Sequence, residues 1–182
     1  MALSYVRCLL LRSTFAATAP RSAVAELEVV RRSETLAMKF TFGESENERV
    51  AVDVLSYERP ICGDYHDDNW LVIHIAVSAG GFSGTARATI LTDELVRFAE
   101  QLHLLYDRLT GSAAFSTLEG QLSLTLVGDG RGHIRLTGDV SDQPGVGNQL
   151  SFTLDFDQSQ LQQSIRELDA VITAFPIRSA NA

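Results

Sequence analysis

Trp70-Leu71-Val72-Ile73-His74-Ile75-Ala76-Val77-Ser78 is nearly continuous in its hydrophobicity. Such a run predicts a central strand covered on both faces. Upstream of it, Leu36, Met38, Phe40 and Phe42 alternate with smaller or polar residues, as do Val50, Val52 and Val54. Two half-buried strands are expected there, joined by the polar residues 43–48. Downstream, Gly80-Gly81 supplies a turn, and residues 82–91 alternate again.

Thr92 then reads as a helix N-cap, with Asp93 and Glu94 in the first turn, where the helix dipole favours negative charge. Leu95, Phe98, Ala99, Leu102, Tyr106 and Leu109 recur at helical spacing, and Gly111 is the expected stop. Strands are expected at 113–117, 121–127, 132–140 and 149–156, with turns at Gly128-Asp129-Gly130 and at 143–147. Asp157 caps a second helix, with Gln160 placed as in a capping box. Its buried face is Leu161, Ile165, Leu168, Ile172 and Phe175, and Pro176 ends it. The expected fold is α+β: a single antiparallel, meander-like sheet of about six to eight strands with two amphipathic helices, one mid-chain and one C-terminal. No internal repeat is apparent, so residues 36–182 read as one domain.

Residues 1–35 read as a poorly packed tail with a short helix near 23–31. Its first 25 residues hold Arg, Ser and Ala but no acid, like a transit peptide, and Ala23-Val24-Ala25 resembles a cleavage site. The preferred reading is that the natural chain starts at Met38, which opens directly into a strand. No apolar stretch reaches the about 18 residues of a membrane-spanning helix.

The chain has 182 residues, 15 basic and 23 acidic, for a net charge of −8. Every acid lies at or after Glu26, which disfavours nucleic acid, because phosphate binding needs clustered cations. An acidic face suits a basic protein partner, the alternative being charge that serves solubility. Cys8 and Cys62 form neither a CxxC pair nor a disulfide framework, and both read as free thiols of a reducing compartment.

No catalytic constellation stands out. His74 reads as a core histidine, His103 as the edge of a helix stripe and His133 as a solvent position. His66 follows Asp64 and precedes Asp67 and Asp68, a set that offers metal ligands. Neighbours in an extended segment point to opposite sides, however, and no second histidine completes the site. Cys62 with His66 four residues on is a weak nucleophile pair. Gly80-Gly81-Phe82-Ser83-Gly84 lacks the Lys-Ser or Lys-Thr of a phosphate loop and precedes a strand. Neither a catalytic residue, a metal nor a cofactor is assigned.

The most distinctive segment is the acidic loop from Tyr57 to Trp70. Aromatics beside carboxylates suit protein recognition, and Tyr57, Glu58, Asp64, Tyr65, Asp67 and Asp68 are the candidate contacts. The structural alternative has Trp70 entering the core and Asn69 or Asp68 hydrogen-bonding the loop backbone. Tyr57 leading through the acidic loop to Asp68-Asn69-Trp70-Leu71-Val72, the helix start Leu91-Thr92-Asp93-Glu94-Leu95 and the ending Phe175-Pro176 together resemble the WapI-type bacterial immunity proteins. The resemblance spans residues 38–178. It implies a cytoplasmic, non-catalytic protein that neutralises a contact-dependent toxin, for which a basic toxin domain is the expected partner. The alternatives are a structural or regulatory homo-oligomer and, third, a metal-dependent enzyme centred on His66.

Overall fold

The computed structural model describes residues 38–178. The expected helix near 23–31, the cleavage-site reading and Cys8 lie outside the described residues. The order is β1 (Met38–Ser45), β2 (Glu48–Tyr57), α1 (Tyr65–Asp68), β3 (Trp70–Ala79), β4 (Phe82–Leu91), α2 (Thr92–Arg108), β5 (Thr110–Ser116), β6 (Leu122–Asp129), β7 (His133–Ser141), β8 (Gln149–Asp157) and α3 (Gln158–Ala174).

The fold is α+β and fully antiparallel, but the strands form two four-stranded sheets, β1-β2-β3-β4 and β5-β6-β7-β8, instead of one. The meander breaks at α2. This 17-residue helix separates β4 from β5, and its Gln101 Oε1 accepts the Ala114 N–H at 3.0 Å on the edge of β5. One open sheet would also leave its apolar face without cover. Here the inner faces of both sheets join the two long helices in a single core. Phe42 stacks on Phe156 of the other sheet at 6.3 Å and meets Phe98 of α2 edge-on at 5.9 Å.

β3 is internal, between β2 and β4, yet only one of its faces is sealed. Leu71, Ile73, Ile75 and Val77 are buried, while Trp70, Val72, His74 and Ala76 are partly exposed on the other face. His74 is therefore not a core histidine. It stands opposite Asp53, with Nδ1 3.7 Å from the carboxylate, and Trp70 does not enter the core.

The described residues run through four strands and a long helix twice, the order the sequence predicts, although no repeat is visible in the residues themselves. Both long helices have 17 residues, and their buried positions correspond: Leu95 with Leu161, Ala99 with Ile165, Leu102 with Leu168, Leu105 with Val171. The tenth residue of each helix covers the first strand of the other sheet. Gln101 does so for β5, and Glu167 Oε2 accepts the Thr41 N–H at 2.9 Å and its hydroxyl at 2.6 Å on β1. Ser164 donates to the Thr41 carbonyl. The twelfth residues, His103 and Asp169, meet at 3.2 Å. Unpaired edge groups are thus satisfied by the helices.

Local ends differ from expectation in small ways. Leu91, not Thr92, is the N-cap of α2; leucine has no acceptor, so Glu94 alone reaches back to the Leu91 N–H at 2.9 Å. The Thr92 hydroxyl donates instead to the Asn69 carbonyl at 3.0 Å. The helix ends on Leu109, left-handed at φ 59°, and Gly111 already belongs to β5.

Candidate functional site

The two repeats differ most between their second and third strands. β6 and β7 are joined by three residues, 130–132, whereas β2 and β3 are joined by twelve, 58–69. The scaffold therefore needs only a short turn here, and the first repeat carries an insertion.

The insertion is braced from within. Asp64 caps the single-turn helix α1, its Oδ1 accepting the N–H groups of His66 at 2.9 Å and Asp67 at 3.0 Å. Asp68 is buried, and its two oxygens accept the Cys62 N–H at 2.6 Å and the Gly63 N–H at 3.0 Å. Those bonds, the Cys62 N–H foremost, hold its carboxyl below the usual aspartate range against the opposing effect of desolvation. Asn69 is also buried. Its amide donates to the Tyr65 carbonyl at 2.7 Å and the Arg178 carbonyl at 2.8 Å, and its oxygen accepts the Arg178 N–H at 2.7 Å. The loop and the last described residues are thereby one unit.

Tyr57 completes that junction. Its hydroxyl donates to the Pro176 carbonyl, Phe175 meets its ring edge-on at 5.6 Å, and the Arg178 guanidinium lies 3.2 Å over the ring. Burial raises the phenol above its ordinary value, with Arg178 pulling the other way. Arg178 also donates to the Arg59 carbonyl at 3.2 Å.

Of the six candidate contacts, Tyr57 and Asp68 thus face inward to the loop's own architecture. Glu58, Asp64, Tyr65 and Asp67 reach the surface. Two of those carboxylates share a cation, since Arg59 lies 3.2 Å from Glu58 and 3.1 Å from Asp67. Sequence reading missed the exposed apolar residues of these segments, Ile61 (67 % exposed) and Ile177 (40 % exposed), beside the Tyr65 it named (41 % exposed). It also missed Arg59 and Arg178. Only the pattern Pro-Ile in the loop and after the closing helix hinted at them.

The carboxylates around His66 do not converge: Asp64 serves the backbone, Asp67 an arginine and Asp68 the Cys62 turn. Among the described residues, no group of three His, Cys, Asp or Glu is placed to hold a metal ion. No hydrogen bond among them joins Cys62 to His66. A broad cleft elsewhere is lined by Glu44, Val127, His133 and Arg135; there Arg135 pairs with Asp155 at 2.8 Å, and Asp129 and Asp157 accept backbone N–H groups. No described helix is long and apolar enough to cross a membrane.

The described residues thus form an α+β protein of two meander sheets, edge-sealed by exchanged helices, with an internally braced insertion at 58–69. A model of the immunity protein WapI-like family matches residues 40–176, and the chain belongs to that family. No curated protein matches it.

Proposed function

We propose that this chain is an immunity protein: a non-catalytic, cytoplasmic protein that binds and neutralises a toxin domain of a contact-dependent system. The observation that carries this reading is the family match across both sheets and both long helices. The insertion at 58–69 supports it, because twelve braced residues stand where the scaffold itself uses three. The net charge of −8 favours a basic toxin domain, whose encounter it would accelerate. Glu58, Asp64, Tyr65 and Asp67 are the proposed contacts, with Tyr57 and Asp68 holding them in place.

The test is neutralisation. The full chain is used to capture proteins from the source cells, and each captured domain is expressed alone and then with the chain. Immunity predicts a domain that stops growth alone and permits it when the chain is present. Growth arrest undiminished by the chain, or no toxic domain captured, would sink the reading and leave the homo-oligomer alternative, which sedimentation would test.

A further inference from the structure

We infer that the partner-binding surface is composite and centred on apolar side chains: Ile61 and Tyr65 of the insertion together with Ile177 of the C-terminal strap, ringed by Glu58, Asp64 and Asp67. The partner's class rests on the immunity reading; the location and chemistry of the surface rest on the geometry.

Three observations converge. Asn69 binds the Tyr65 and Arg178 carbonyls through one amide nitrogen, which places the backbone flanking Ile177 beside that of Tyr65. Arg178 reaches the Arg59 carbonyl, two residues before Ile61, so the backbone segments that carry all three apolar side chains are joined. Each is exposed by two-fifths or more, although the segments that carry them are tied down by buried polar groups. Loop ordering is therefore completed before association, which is what a binding surface needs to avoid an entropic penalty. An aromatic and two branched aliphatics inside a polar rim match the anatomy of interface centres.

The rim defines the occupant. Three carboxylates, Glu58, Asp64 and Asp67, face two guanidiniums, Arg59, which Glu58 and Asp67 share, and Arg178, so the carboxylates remain in excess by one. A toxin domain with an apolar cleft bordered by Lys or Arg is complementary to this arrangement. A second copy of the chain is not, because it would set like-charged rims against each other.

The test places a photo-crosslinking benzoylphenylalanine in the full chain at position 65, at position 177 and, as a control, at position 82, where Phe82 is exposed at the start of β4. Expected is one adduct shared by positions 65 and 177, absent at 82, whose protein is the growth-arresting domain. The paired substitutions Tyr65→Ala and Ile177→Asp should weaken its capture at least about tenfold with an unchanged melting curve. Asp64→Asn with Asp67→Asn should chiefly slow association. No adduct at 65 or 177, equal adducts at 82, or adducts with a second copy of this chain would overturn the surface. Neutralisation without such adducts would leave the immunity reading standing and remove only the surface. Adducts to a protein without toxicity would do the reverse.

Discussion

Asp68 and Asn69 were adjacent letters in an acidic run, and in the fold they hold two different segments. Asp68 accepts the turn at Cys62 and Gly63, and Asn69 holds the strap at Arg178. Asp68→Asn should speed amide exchange at Cys62 and Gly63 by about tenfold or more while β3 stays protected, measured by hydrogen exchange. Asn69→Ala removes both donors and the acceptor, so a loss of about 2 kcal/mol is expected in urea unfolding. The titration has a definite sign. The carboxyls of Asp68, Asp129 and Asp157 all lie below the ordinary aspartate value, chiefly through hydrogen bonds from Cys62, Arg131 and Ser159 respectively. Their stabilisation is complete above about pH 3.9 and is lost as pH falls through the folded values. Glu94 runs the other way: burial raises it, so its contribution is present below about pH 4.3 and is lost as pH rises through the folded value. Acid titration of the melting temperature should therefore show a fall below about pH 4, shallower in Asp68→Asn.

Side chains of the two long helices bind the edge strands. Glu167 satisfies β1 from α3, and Gln101 satisfies β5 from α2. Glu167→Ala should cost about 1–2 kcal/mol and Gln101→Ala about 1 kcal/mol, read by chemical denaturation, with Glu167→Gln costing less than Glu167→Ala. If both alanine variants unfold like the parent, these two edge bonds contribute nothing to stability. Gly128 marks the tightest junction of helix and sheet, since a Cβ there would lie 2.4 Å from the Leu109 carbonyl oxygen. Gly128→Ala should destabilise by about 1–3 kcal/mol.

At the scale of the whole molecule, one core joins both sheets and both long helices, so unfolding should be a single transition. Trp70, the sole tryptophan, begins β3 and reports on the first sheet, whereas far-ultraviolet dichroism reports on both. Coincident curves are expected, and an earlier tryptophan transition would show that the sheets melt separately. Phe98→Ala, which removes a ring packed against Phe42 and Phe115, should shift both signals together by about 3–5 kcal/mol.

Local pattern carried much of this in the sequence. Alternation at Phe40 and Phe42, the stripe from Leu95 to Leu102 and the cap at Asp157 are set by near neighbours along the chain, and the eight strands and two long helices follow from them. The residues of the acidic loop and the family resemblance were legible too. Tertiary structure alone decided that the strands divide into two sheets, because that depends on which edges α2 and α3 cover, and at β1 the contact joins Thr41 to Glu167, 126 positions away. It alone turned His74 outward, since a one-residue alternation sets the face and a continuous apolar run does not reveal which face is sealed. It alone joined the backbone of Tyr65 to that of Arg178: the link passes through a single buried amide, Asn69, whose distant partner no local pattern specifies.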